Sequence, residues 1–304
     1  MAAFELFLQQ LINGLTIGML YALIALGYTM VYGVLQLINF AHGEVFMAGA
    51  YLALSAIWIT TAAFAGAPVF VVLLSLFVLS IAGCALLGAV IEKVAYKPLR
   101  GSPKLTVLIT SIGVSFFLQN AVMLIYGSKE QGVPEILPPT QFAFGNVSFS
   151  LLQAVIFSVS LALMVLLNWF IKHTLLGKAM RALAENPEAA SLMGIPVNAV
   201  IRMTFVIGSA LAAVAGALFA LNYGSINFHD GYLAGLKAFT AAVLGGIGSM
   251  PGAMLGGLFL GVFEGLAAGY ISSEWKDVFA FILLVVVLIF KPSGLRGENI
   301  PEKV

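Results

Sequence analysis

Long apolar runs broken by short polar interruptions dominate the chain, and their lengths are those of membrane helices rather than of a soluble core. Crossing the hydrocarbon layer takes ~20 mostly apolar residues in a helix. The runs Leu11–Leu35, Val69–Ile91, Leu105–Tyr126, Leu151–Ile171, Met203–Leu221 and Val278–Phe290 fit that description. Three others are shorter or interrupted: Val45–Ala63 follows a polar, glycine-bearing start, Ala238–Ile247 is brief, and Ala253–Tyr270 is rich in glycine. The pattern predicts an all-α polytopic membrane helix bundle of eight or nine membrane segments, some broken or re-entrant, in a single transmembrane domain over residues 1–304.

Composition strengthens this reading. Of 304 residues, 61% are hydrophobic and 9% charged, whereas a soluble domain carries roughly a quarter charged residues; membrane lipid must solvate most of the surface. A net charge of +1 gives no basic face for a nucleic acid. The lone Cys84 has no partner for an intramolecular disulfide and reads as inert packing. Met1–Glu5 lacks the basic stretch of a cleavable signal, so the first apolar run is expected to remain as a membrane helix.

Basic residues set orientation, because loops rich in Lys and Arg stay in the cytoplasm. Lys93, Lys97, Arg100 and Lys104 mark one such loop, Lys172, Lys178, Arg181 and Arg202 the next, and Lys291, Arg296 and Lys303 a cytoplasmic carboxyl terminus. The loop Gly127–Ser150, with Gly132, Pro134, Pro138, Pro139 and the single basic residue Lys129, is expected to face outward. The amino terminus then lies outside if Val45–Ala63 crosses fully and inside if that segment is re-entrant.

The most polar island, residues 177–196, carries the signals of a short helix. Asn186 suits its cap, Pro187 its first position, Gly194 the left-handed residue beyond its end, and Pro196 blocks continuation. About two turns are implied, too few to be stable without a partner. Ala189, Leu192 and Met193 form an apolar knob at helical spacing, flanked by Lys178, Arg181, Glu185 and Glu188. This predicts a cytoplasmic docking peg.

An internal echo marks a second feature. Ile38-Asn39-Phe40-Ala41-His42-Gly43 returns as Ile226-Asn227-Phe228-His229-Asp230-Gly231, identical at four of six positions, each copy between a long span and an interrupted one. With Val45–Ala63 crossing fully, the charge count puts the first copy at the cytoplasmic side and the second at the outer side, as an inverted repeat requires. Interrupted segments in corresponding halves point to a substrate path. Ionisable groups at membrane depth are costly and functional by default, which singles out Glu44 and Glu264. Glu264 has an equally good structural role as a carboxyl bonded to a neighbouring helix. His42 and His229 fit no metal-binding arrangement and read as polar lining. Glu92 and Lys93 are expected to snorkel at a span end, and Lys237 at the outer face.

Gly248, Gly252 and Gly256, then Gly257, Gly261, Gly265 and Gly269, recur every fourth residue and leave two smooth helix strips for close packing, more readily within this chain than between subunits. No phosphate-binding loop, His-Glu-x-x-His pair or Gly-x-Ser-x-Gly elbow occurs in the sequence, so no enzymatic chemistry is expected.

The run Leu37–Glu44, the peg Arg181–Ile195 and the segment Leu236–Gly257 with Ala241-Ala242-Val243-Leu244-Gly245-Gly246 together resemble the permeases of branched-chain amino acid ABC transporters. The likeness covers essentially the whole chain, with the length of the shorter of two homologous permeases. It implies a bacterial inner-membrane importer in which this chain pairs with a second permease, two cytoplasmic ATPase subunits and a periplasmic substrate-binding protein. No cofactor would be bound by this chain, ATP and magnesium belonging to the ATPases. The segment containing Arg181, Glu185, Asn186, Pro187, Glu188, Ala189, Leu192, Met193 and Gly194 would be the coupling loop. Asn39, His42, Asn227 and His229 are the expected polar groups of the path. The same family includes permeases for urea or short amides. An ion-coupled secondary transporter, using Glu44 or Glu264, is the rival class.

Overall fold

The computed structural model describes residues 2–64, 66–291 and 293–296, so Lys303 and the end of the carboxyl-terminal segment lie outside the described residues. The helices are α1 (Ala2–Leu35), α2 (His42–Ala63), α3 (Val69–Ile91), α4 (Lys104–Tyr126), α5 (Leu151–His173), α6 (Leu175–Glu185), α7 (Pro187–Leu192), α8 (Val197–Tyr223), α9 (Asp230–Gly245), α10 (Met250–Tyr270) and α11 (Lys276–Phe290). Four short strands, β1 (Gln131–Gly132), β2 (Gln141–Phe144), β3 (Val147–Ser150) and β4 (Ser225–Ile226), form two antiparallel pairs, β1 with β4 and the hairpin β2–β3.

Among the described residues seven helices, α1 to α5, α8 and α10, are long and apolar enough to cross a membrane; the expected eight or nine segments also counted shorter ones. The segments Ala238–Ile247 and Val278–Phe290 belong to α9 and α11, of 16 and 15 residues. At 1.5 Å per residue each spans only about 24 Å, short of the ~30 Å hydrocarbon core.

Packing is reciprocal between the two ends of the chain. Helix α1 lies along α10 and touches α9; α8 lies along α3 and touches α2; α1 crosses α8, and α2 crosses α9. Helices α1, α2 and α8 supply most of the buried core. By contrast α3, α4 and α5 turn large apolar side chains such as Phe70, Phe117, Leu124 and Trp169 outward, a surface that lipid would solvate.

The glycine strips account for the tightest contacts. A Cβ on Gly14 would stand 2.7 Å from the carbonyl oxygen of Gly261, and one on Gly18 would stand 3.0 Å from that of Gly257. Gly257, Gly261 and Gly265 thus abut the backbone of α1, while Gly252 and Gly256 abut that of α9. Both strips are spent within the chain. Gly248 is not part of them: it lies in the turn before α10 with φ +94°.

The end of α3 widens into a π-helical turn, Glu92–Tyr96, and then tightens over Lys97–Leu99. Glu92 does not snorkel there, as expected from sequence, but is buried with Arg100 and, at 3.6 Å, Arg202. Arg100 also bonds Asn198 at the start of α8. Two guanidinium groups keep the carboxylate inside, while Lys93 next to it is exposed. Breaking a buried pair from one side leaves an uncompensated charge at about 3 kcal/mol. Arg100→Ala is therefore expected to lower the melting temperature of the detergent-solubilised protein by several degrees; an unchanged transition would show that Arg202 alone suffices.

The expected outer loop carries the β2–β3 hairpin, and the amino-terminal end of α1 is tied to it. Gln9 donates to the Ser148 carbonyl oxygen at 3.1 Å and accepts from the Ser148 N–H at 2.8 Å. The end of α8 joins the same side, the Val133 N–H donating to the Gly224 carbonyl oxygen at 2.8 Å. Arg100 and the start of α8 lie at the opposite end.

Candidate substrate path and docking element

The two copies of the Ile-Asn-Phe motif fold alike. In each, the asparagine side chain accepts from the backbone N–H two residues on, Ala41 to Asn39 and His229 to Asn227, both at 3.1 Å. In each, the N–H three residues on reaches the asparagine carbonyl oxygen, at 3.0 Å from His42 and from Asp230. An asparagine that folds its side chain back in this way turns the chain sharply into a helix, and α2 and α9 start there.

The two turns lie towards opposite ends of the bundle: Asn39 is bonded to Tyr96, near Arg100, whereas Ile226 pairs with Gln131 of the loop at the other end. The helix starts that follow them meet in between: a Cβ on Gly43 would stand 2.8 Å from the Cα of Gly235, and Gly43 also abuts Gly231. Only residues without side chains allow two helix starts to approach so closely.

The polar groups of the first copy are enclosed, Asn39, His42 and the following Glu44 all being buried. Asn39 also accepts from the Tyr96 hydroxyl at 2.9 Å, and His42 stands edge-on to the Tyr28 ring at 4.9 Å. The Glu44 carboxylate accepts from Ser115 at 3.2 Å and lies against Gly231. Its second oxygen and His42 Nε2 have no hydrogen-bond partner among the described residues. The second copy is more open: His229 is exposed and its Nδ1 is 2.7 Å from the Gln119 amide, while Asp230 accepts from the Asn227 N–H at 2.7 Å. Glu44 thus lies where the two helix starts meet, beside Gly231, while Asn39 and His42 lie to one side of it and Asn227 and His229 to the other, the two copies contacting α4 at Ser111 and at Gln119 respectively.

Glu264 belongs elsewhere. It is bonded to Lys237 at 2.6 Å, and Lys237 also meets Asp277 at 2.5 Å and the Tyr21 ring at 5.7 Å. This corrects the snorkelling expected of Lys237, which is 6% exposed. Two carboxylates from α10 and α11 hold its ammonium among the helices instead of releasing it to the surface. The rule that intramembrane charges pair with one another could have joined Lys237 to Glu264 from sequence. Asp277, at the start of a separate helix, gave no such signal.

The polar island forms two helices where one was expected. Thr174 caps α6 by accepting from the Gly177 N–H at 3.0 Å, and Met180 and Leu183 turn inward. Leu175, Leu176, Ala179, Met180 and Leu183 carry the helical period that marks this element in the sequence. Asn186 then caps α7, accepting from Glu188 and Ala189 N–H groups at 3.0 Å each. Gly194, at φ +83°, closes it, and the Ile195 N–H returns to the Ala190 carbonyl oxygen at 3.1 Å, a left-handed helix stop that favours glycine. Ala190 faces inward, whereas Ala189, Leu192 at 89% exposure and Met193 at 83% face out. Arg181, Glu185, Pro187 and Glu188 are also exposed around them.

Among characterised proteins, the chain is 53% identical over 98% of both lengths to the high-affinity branched-chain amino acid transport system permease protein BraD of Pseudomonas aeruginosa. It is 48% identical over 99% of both lengths to the permease protein LivH of the corresponding Escherichia coli system. The autoinducer 2 import system permease protein LsrC of an Enterobacter strain shares 29% identity over 61% of this chain and 55% of its own length. Residues 10–288 match the family model described as branched-chain amino acid transport system / permease component. With relatives aligned nearly end to end and the model spanning all its long apolar helices, this chain belongs to the branched-chain amino acid transport permease family.

Proposed function

We propose that this chain is the permease subunit of a bacterial ABC importer for leucine, isoleucine and valine, a non-catalytic inner-membrane component that forms the translocation path. The single observation that carries this is near-full-length identity of about half to BraD and LivH. A second homologous permease, two cytoplasmic ATPase subunits and a periplasmic binding protein complete the assembly. ATP and magnesium act on the ATPases, and the whole chain is one transmembrane domain.

Orientation follows the basic loops. The Gly127–Ser150 loop and the start of α1 face outward, and α6, α7 and the carboxyl terminus face the cytoplasm, where residues 177–196 couple to an ATPase. Helices α1–α3 and α8–α10 are inverted copies of one unit. The reciprocal packing of α1 with α9 and α10, and of α8 with α2 and α3, supports that reading, as do the matching asparagine turns. The path runs by the crossing of the α2 and α9 starts, past the buried Asn39, His42 and Glu44 on one copy and the more open Asn227 and His229 on the other.

The test is reconstitution. Purification from native membranes is expected to bring two ATPases and a second permease, and proteoliposomes of that complex should accumulate leucine only with ATP and binding protein. Accumulation driven by an ion gradient without ATP would overturn the importer in favour of a secondary transporter. ATP-driven uptake of urea but not leucine would move the substrate within the family.

A further inference from the structure

A cavity of about 250 Å³ opens between α1, α2, α8, α9 and α11 on the side of the β1–β4 pair, next to the second motif copy, whose Asp230 lines it. Its wall has two characters. Leu20, Ile24, Phe46 and Phe219 make one part apolar; Glu130, Asp230, Lys237, Lys276 and Asp277 make the other ionic, with both signs present. The lysine is already held in place, bonded to Asp277 at 2.5 Å and to Glu264 at 2.6 Å, so the ionic part is a fixed arrangement rather than a set of mobile surface chains. Along α9, Asp230, Leu233, Ala234 and Lys237 fall at i, i+3, i+4 and i+7 and so form one face.

We infer that this cavity is a substrate subsite of the permease itself, receiving a zwitterionic aliphatic α-amino acid with its charged head at the Lys237–Asp277 network and its side chain against Leu20, Ile24, Phe46 and Phe219. A head group of one sign would be repelled by part of the ionic wall, whereas a zwitterion finds a counter-charge for each of its ends. The apolar wall then rewards a branched side chain over a polar one, since each buried methylene contributes about 0.8 kcal/mol, close to fourfold in affinity. The volume lies just below that of drug-sized ligand pockets, ~300–1,000 Å³, which favours one amino acid over a peptide. A subsite here would give the permease its own selection step after delivery by the binding protein. The inference rests on the importer reading above and adds a place where the substrate is recognised.

The experiment uses the complete importer in proteoliposomes with one binding protein held constant, and compares maximal uptake rates for radiolabelled leucine and valine. Ala234→Phe fills the cavity without removing a charge; it is expected to lower leucine uptake more than valine uptake, raising the valine-to-leucine ratio about tenfold, the discrimination a hydrophobic pocket gives per methylene. ATP hydrolysis stimulated by the binding protein should persist. Leu20→Ala, which enlarges the apolar part, should shift the ratio the other way, and this result carries the inference even where Ala234→Phe fails to assemble. Wild-type leucine uptake with unaltered ratios in Leu20→Ala and in an assembled Ala234→Phe would overturn the subsite while leaving the importer reading intact. Absence of ATP-driven leucine uptake by the wild-type complex would instead remove both.

Discussion

Leu192→Asp is expected to leave the protein inserted at its normal level while ATP-driven uptake falls by at least about tenfold. The reason lies in where this side chain points. Leu192 is 89% exposed and its residue closes a helix held by other groups, the Asn186 cap and the Ile195 return bond, so the substitution removes nothing that folds α7. An apolar knob on the aqueous side of a membrane protein is costly unless a partner covers it. If an ATPase cleft does so, an aspartate there is desolvated without a counter-charge, at a cost of roughly 3 kcal/mol or more, above a hundredfold in docking affinity. Measured together, membrane abundance, ATPase activity and uptake separate the cases: ATP hydrolysis no longer coupled to transport is the expected outcome. Normal uptake would remove α7 from the coupling role.

Gly261→Leu should prevent stable assembly, seen as loss of the monodisperse complex in detergent and of uptake. The position lies against the backbone of Gly14 and Gly18, with Gly265 and Gly257 continuing the contact along α1. No rotamer escapes a clash with backbone atoms, so the helices must separate. Helices in lipid lack a hydrophobic drive to associate and depend on close contact, which makes the loss larger than the 1–3 kcal/mol of ordinary overpacking. An intact complex with full uptake would place this face of α10 against something softer than α1.

Much of this molecule was legible because membrane burial leaves a strong trace in sequence. The long runs predicted α3, α4 and α5 with ends near those observed and α1 and α8 with starts nine and six residues too late, and Asn186, Pro187 and Gly194 marked the bounds of α7 by local backbone chemistry alone. The echo at Asn39 and Asn227 drew attention to the two helix starts. Less was legible for α6, whose amphipathic period was hidden by its basic residues, and for α9 and α11, whose apolar composition resembles that of longer spans.

What sequence by itself determined was therefore local or compositional: a lipid-solvated helical chain, the order of its spans, caps and breaks, and the family to which it is similar. Only tertiary structure decided which distant groups share a place. Nothing in residue spacing says that Gly43 rests on Gly235, that Lys237 is held between Glu264 and Asp277, or that Glu92 is enclosed by Arg100 and Arg202. The physical reason is that hydrophobicity and helix caps act within a few residues of the chain, whereas burying a charge or bringing two backbones together depends on which helices the rest of the fold sets side by side.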